Sequence, residues 1–192
     1  GFNAKSNHYG YAQTSTGPGH TTVATGTHPG VHGIIGNSWF NKKTKKSVYC
    51  VDDMNYNTVG SSTDRGKKSP TNLLTTTLSD ENRIATNFIG KTIGVAIKDR
   101  GSILSSGHTA NAAYWFDSKE GSFISSTYYL TSLPSWAQEF NDSRHIDSYL
   151  KPWETYHDIS TYIESGPDMN EYESNFSGEE NPIFPHNFKI KN

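Results

Sequence analysis

Three groups of residues have the types and order needed to hold and attack a phosphate. The first is Thr14-Ser15-Thr16-Gly17-Pro18-Gly19-His20, which sets a hydroxyl just before a Gly/Pro helix start. The second is Asn37, an amide side chain on the turn that follows Gly36. The third is Lys98-Asp99-Arg100, two cations at the end of the apolar run 93–97. A threonine hydroxyl is a weak nucleophile until something lowers its pKa or takes its proton. A helix N-terminus offers free N–H groups and the positive end of the helix dipole, and both suit a phosphate anion. Gly17 and Gly19 would let that anion approach the backbone. The Asn37 amide N–H could stabilise charge on a phosphoryl oxygen in the transition state. Period-two spacing at a strand end puts Lys98 and Arg100 on one side, with Asp99 pointing away to anchor the loop. Arginine grips phosphate as a fork and lysine as a point charge. Gly101-Ser102 then favours a loop that can close over a ligand. Phosphoryl transfer is the leading chemistry for this set.

Each residue also has a plainer reading. Thr16 can be an ordinary capping threonine, Asn37 a turn asparagine, and Lys98 and Arg100 a solvated strand end. Taken singly, the plainer reading is the stronger one for Thr16 and Asn37. His20, His28 and His32 lie close in sequence, but their spacing matches no zinc signature, and they are expected at the surface or in support. Asp52-Asp53 reads more simply as a strand end than as a cation site. His157-Asp158 is a weak metal pair. No P-loop, GxGxxG, GxSxG or CxxC occurs.

The elements that must position these residues follow from local signals. Residues 1–13 read as a strand and loop. A short helix is predicted over 17–25, with Thr16 as N-cap, Pro18 in its first turn and Gly26 as its stop. Residues 31–35 read as a short strand or turn, 42–46 as a cationic solvated loop, 48–51 as a strand and 60–70 as a loop. A helix is predicted over 78–88, with Ser79 or Asp80 near its start. The β-branched run 93–97 predicts a buried strand of a parallel sheet. Residues 112–116 and 122–126 around the turn 117–121 predict a β-hairpin, and 134–140 begins another helix. Helix, strand and loop in that order indicate an α/β layer. The second half reads as an insertion or cap.

The 192 residues suit one domain or part of a larger one. Seventeen Lys and Arg against 19 Asp and Glu leave a net charge of −2, which points to neither nucleic acid nor a membrane surface. Hydrophobic residues make up 32% and the mean hydropathy is −0.71. Ordinary globular chains hold about 45–50% apolar residues, so this chain is poor in core-forming residues, as a piece of a larger fold would be. The single cysteine, Cys50, excludes an intramolecular disulfide. No apolar run is long enough to span a bilayer. The start at Gly1, without signal peptide or initiator Met, reads as a processed chain or a fragment. Asn141-Asp142-Ser143 and Asn175-Phe176-Ser177 fit the N-glycosylation pattern.

Together, Thr16-Gly17-Pro18-Gly19-His20, Thr25-Gly26, the stretch from Pro29 to Asn37 and Lys98-Asp99-Arg100-Gly101-Ser102 resemble the alkaline phosphatase superfamily. The likeness is to its nucleotide pyrophosphatase/phosphodiesterase branch, and within it to the bacterial zinc-dependent alkaline phosphatases of the PafA type, which use a threonine nucleophile. It runs over about residues 1–141 and includes the stretch 112–117. The resemblance implies an alkaline-phosphatase-like α/β/α sandwich, present in part, with an inserted β-hairpin/cap region, and leaves 142–192 as a polar segment of uncertain structure. It implies Thr16 as the nucleophile, forming a phosphothreonine and ligating one of two zinc ions. Asn37, Lys98 and Arg100 would bind the phosphoryl oxygens. Two cations would favour the monoester dianion over a diester.

The family takes its other zinc ligands from an Asp upstream of the nucleophile and from Asp/His motifs downstream, and no residue of this chain matches them. The expectation is a zinc-dependent phosphomonoesterase acting on small-molecule phosphate esters, without nucleic acid or membrane insertion, and periplasmic or secreted as its relatives are. This chain alone is expected to be inactive. The alternatives are a phosphodiesterase or nucleotide pyrophosphatase on the same scaffold, and an inactive phosphate-binding protein.

Overall fold

The computed structural model describes residues 3–187. The chain divides into two compact units, Gly1–Asp142 and Ser143–Asn192. In the first, the elements run α1 (Thr16–Thr25), α2 (Pro29–His32), β1 (Ser38–Asn41), β2 (Lys46–Tyr49), β3 (Thr58–Val59), α3 (Leu78–Ala85), β4 (Ile93–Ala96), α4 (Asp99–Ser106), β5 (Ala112–Asp117), β6 (Ser122–Ser126) and α5 (Ser135–Asp142). Strands β1 and β2 form a separate antiparallel hairpin, so the cationic run 42–46 is its exposed turn and the start of β2. The main sheet has the order β3-β6-β5-β4, with β4 and β5 parallel and the other pairs antiparallel.

Strand parity sorts the layers. Gly94 and Ala96 face α4: a Cβ on Gly94 would lie 2.9 Å from the Ser102 carbonyl oxygen and would overlap the Ser106 hydroxyl, so only glycine lets this helix seat. On the other face α5 covers the sheet, with Trp136 against Tyr114 at 5.4 Å and Phe140 against Phe123 at 6.0 Å between ring centroids. Helices thus flank both faces of the sheet, and the α/β/α arrangement is present. The core gathers Ile34, Cys50, Ile103, Leu104, Trp115 and Ile124 between the sheet, α4 and the β1–β2 region.

Several local expectations need correction. Residues 3–13 hold no strand; Gly1 and Phe2 lie outside the described residues. Ser15, not Thr16, is the N-cap of α1, and Thr16 is its first helical residue. Residues 29–32 form a helical turn, because Pro29 sits at its start and Gly33 (φ +83°) stops it. Helix α3 starts at Leu78 as expected, capped by Thr77, but it ends at Ala85 rather than 88, with Asn87 and Phe88 at positive φ. Strand β4 is only partly buried: Ile93 and Val95 are exposed, since β4 is the last strand of the sheet among the described residues. Gly101-Ser102 is not a loop but the buried first turn of α4. The hairpin 112–126 forms, and its first strand pairs with β4, so it is continuous with the main sheet.

Asp80 ties α3 to the segment after α4. Its buried carboxylate accepts the Thr77 and Thr109 backbone N–H groups at 3.0 and 2.8 Å, and the Thr109 hydroxyl at 2.8 Å. Burial alone would raise its pKa, but these hydrogen bonds outweigh burial and hold it below the ordinary value. A carboxylate lowered in the folded state stabilises fully above its unfolded pKa, about 3.9, and the contribution is lost as pH falls through that range toward the folded value. Asp80→Ala should therefore destabilise the protein by about 2–5 kcal/mol at neutral pH, because the buried Thr77 N–H and the half-buried Thr109 N–H lose their acceptor. Denaturant melts should show that difference shrinking below about pH 4. A pH-independent difference would deny the carboxylate this role.

In the second unit, Trp153, Phe176 and Phe184 surround the buried His186, whose Nδ1 lies 3.1 Å from a Glu179 carboxylate oxygen. Among the described residues its regular structure is two short 3-10 turns, His145–Tyr149 and Ile159–Thr161, and one antiparallel bridge between Trp153 and His186.

Candidate active site

Thr16 opens α1 and is half-buried. Its hydroxyl has no hydrogen-bond partner among the described residues, and Ser15 makes no side-chain cap. That leaves an uncommitted hydroxyl at the positive end of a ten-residue helix, the kind of place that favours an anion. Asn37 is held beside it. Its amide oxygen accepts the Gly17 N–H at 2.7 Å, and its backbone oxygen accepts the Cys50 N–H at 2.9 Å. With the oxygen committed, the Asn37 NH2 group is the part left to donate elsewhere.

Gly17 makes this approach possible. A Cβ there would lie 3.1 Å from the Asn37 amide oxygen, 3.3 Å from the Gly36 carbonyl and 3.4 Å from the Cys50 sulfur. Gly17→Ala should push Asn37 off the helix start, destabilising by about 1–3 kcal/mol and lowering phosphate affinity several-fold. Inhibition by inorganic phosphate and thermal melts of the full-length protein would check this; unchanged phosphate affinity would count against the pairing of Asn37 with α1.

Lys98 and Arg100 line a cleft of about 460 Å³ together with Tyr49, Lys68, Trp115 and Phe116. Lys98 is the N-cap of α4, is exposed, and has no ion-pair partner among the described residues. Arg100 is half-buried, in the first turn of the same helix. The expectation that Asp99 points away is wrong. Helix geometry replaces strand geometry here, and Asp99 accepts the Tyr49 hydroxyl at 2.6 Å, while Tyr49 accepts from Arg100 Nη1 at 2.6 Å. Lys68 pairs with Asp52 and lies 3.7 Å from Asp99. Burial, reinforced by the hydrogen bond to Asp99, pushes the Tyr49 hydroxyl pKa up, so it stays protonated. Burial, with the nearby Asp99 charge, pushes the Cys50 thiol up to about 12. Cys50 is thus a packed thiol rather than a nucleophile.

Thr16 and Asn37 do not line this cleft. The link between the two pairs is Tyr49-Cys50: Tyr49 reaches Asp99 and Arg100, and Cys50 packs by Gly17. Helices α1 and α4 also meet where His20 lies against Gly101. His32, expected in a surface or supporting place, is fully buried; its Nδ1 accepts the Ile34 N–H at 3.1 Å and its Nε2 faces the Thr22 hydroxyl at 3.2 Å. Among the described residues no group of three or more His, Cys, Asp or Glu side chains converges as a metal site. Tyr49 and Lys68 carry no local sequence signal as site residues, and Asp99 signals only an anchor: their contacts join positions about fifty or thirty apart.

The unit is an α/β/α layer that carries an uncommitted hydroxyl at a helix N-terminus and a separate cleft lined by Lys68, Lys98 and Arg100. Comparison fixes the family: the chain matches type I phosphodiesterase / nucleotide pyrophosphatase over residues 1–177 and belongs to that family. It is 50% identical to alkaline phosphatase PhoV of Synechococcus elongatus, over 98% of this chain and 34% of PhoV. It is 45% identical to a protein of Myroides odoratus named calcium-transporting ATPase, over 96% of this chain and 34% of that one. The crystal structure of wild-type alkaline phosphatase PafA matches with a TM-score of 0.89 and 42% identity, over 92% of this chain and 34% of PafA. A PafA variant substituted at a Thr, an Asn, a Lys and an Arg matches at 0.91 and 40%, over 93% of this chain and 35% of that one. The chain spans about a third of the length of the relatives it matches.

Proposed function

We propose that this chain carries the nucleophile and the phosphate-binding residues of a zinc-dependent phosphomonoesterase that works by double displacement through phospho-Thr16. The observation that carries this is the uncommitted Thr16 hydroxyl at the start of α1, with Asn37 locked beside it by the Gly17 N–H. In the first step Thr16 Oγ1 bonds to phosphorus and the ester oxygen leaves; in the second, water attacks phosphorus and frees Thr16. The Asn37 amide and the Lys98 and Arg100 cations hold the non-bridging oxygens, where charge builds in the transition state. The substituted PafA positions support this assignment. Its Thr and Asn are 21 apart and its Lys and Arg two apart, the same separations as Thr16 to Asn37 and Lys98 to Arg100.

Alkaline phosphatase relatives imply a metal cofactor in general. The residues described here do not fit a metal pair by themselves, since Thr16 offers one oxygen and no acidic or imidazole cluster accompanies it. Zinc belongs to the proposal only with ligands from outside this chain's described residues. Small-molecule phosphate esters are the proposed substrates, in a periplasmic or secreted setting. No helix among the described residues is long and apolar enough to cross a membrane. The test is the ratio of aryl monoester to aryl diester hydrolysis by the full-length protein with zinc. A ratio well above one supports the monoesterase; a ratio below one makes it a phosphodiesterase.

A further inference from the structure

We propose that Tyr49 is the positioning residue for Arg100: its hydroxyl stands between the Arg100 guanidinium and the Asp99 carboxylate and keeps the arginine available to a phosphoryl oxygen. The inference rests on the reading of Arg100 as a phosphate ligand. The geometry is a wedge. The Tyr49 hydroxyl donates to Asp99 Oδ1 at 2.6 Å and accepts from Arg100 Nη1 at 2.6 Å, while Arg100 Nη1 stays 3.8 Å from Asp99 Oδ1. A guanidinium and a carboxylate this close would otherwise form a direct pair, frequently two-pronged. An arginine so paired has its charge met and its donors consumed. With Tyr49 in place, one donor is used on a neutral oxygen, and Nη2 has no partner among the described residues.

Two further contacts hold the wedge. Lys68 Nζ lies 4.7 Å from the Tyr49 ring centroid and 3.7 Å from Asp99 Oδ2, so it flanks the ring and gives the far carboxylate oxygen a cation other than Arg100. The Arg100 backbone N–H also donates to Asp99 Oδ1 at 2.7 Å, which ties that oxygen to the start of α4. Tyr49 itself is fixed by β2, the strand that runs into Cys50 beside Gly17. The same two residues therefore bind the arginine half of the site to the Thr16 and Asn37 half.

The test is Tyr49→Phe in the full-length protein, which keeps the ring and removes only the wedge. Arg100→Ala, the double variant Tyr49→Phe/Arg100→Ala and Tyr49→Phe/Asp99→Asn accompany it. The readouts are kcat/KM for an aryl monoester and an aryl diester, inhibition by inorganic phosphate, and a thermal melt. Tyr49→Phe should lower monoester kcat/KM and phosphate affinity by about ten- to a hundredfold, the worth of one charge-assisted hydrogen bond, and leave the diester much less affected. Adding Tyr49→Phe to Arg100→Ala should cost nothing more, and Asp99→Asn should restore part of the loss by removing the group on which Arg100 collapses. If Arg100→Ala lowers monoester activity but Tyr49→Phe does not, the inference fails. It fails equally if Tyr49→Phe lowers both esters alike, as a merely structural tyrosine would, or if Asp99→Asn restores nothing. If Arg100→Ala itself changes nothing, the reading of Arg100 as a phosphate ligand falls, and the inference with it.

Discussion

Thr16→Ala in the full-length protein is expected to reduce phosphomonoester turnover by at least about a thousandfold, since loss of a covalent nucleophile removes the reaction path and leaves only binding and electrostatic assistance. The fold should not notice. Thr16 is the first residue of α1, its hydroxyl has no partner among the described residues, and the cap position belongs to Ser15. Alanine is the better helix former, so the stability change should stay within about 0.5 kcal/mol. Thr16→Ser keeps a hydroxyl at the same place and should keep measurable turnover. Steady-state kinetics and thermal melts on the three proteins check this. Thr16→Ala with near-native turnover would mean that the attacking oxygen belongs to water or to another side chain.

The second large effect concerns Lys98 and Arg100. A monoester dianion carries one more negative charge than a diester at the oxygens these cations would meet. Each charge-assisted hydrogen bond contributes about 1.5–3 kcal/mol, or roughly ten- to a hundredfold in rate when made in the transition state. Lys98→Ala/Arg100→Ala should therefore lower monoester kcat/KM by about two to four orders of magnitude, and diester kcat/KM far less. The two side chains differ in setting. Lys98 is exposed and unpaired among the described residues, so its removal should be stability-neutral. Arg100 is half-buried with its Nε enclosed and unpartnered, and Nη1 on Tyr49, so Arg100→Ala should also lower the melting temperature. Parallel assays on an aryl monoester and diester decide the matter. Equal losses on both would remove the reason to call this a monoesterase.

What could be read from the sequence was what local chemistry controls. Gly26 stops α1 in the left-handed conformation and Gly121 turns the β5–β6 hairpin, as their neighbours suggested. The β-branched run at 93–97 formed the predicted parallel strand, though its flanking position in the sheet left Val95 exposed. The first turn of α4 differs from the loop expected there because Gly101 and Ser102 are poor helix formers. They are helical because glycine there gives His20 of α1 room to lie against α4, which is a tertiary reason. Thr77 caps α3 with Asp80, three residues on, completing a capping box, a signal that lies in the sequence itself. Type, spacing and resemblance mark Thr16, Asn37, Lys98 and Arg100. Tyr49 was invisible, because nothing near it in the chain marks a tyrosine that meets Asp99 fifty residues later.

The most direct test of the central claim is to trap the intermediate. The full-length protein, turning over a labelled phosphomonoester, is quenched in acid, digested, and its peptides are read by mass spectrometry. Phosphate on Thr16, appearing within the first turnover and absent from Thr16→Ala, is the predicted result. Label on any other residue, or none in a protein that still turns over, would contradict the account.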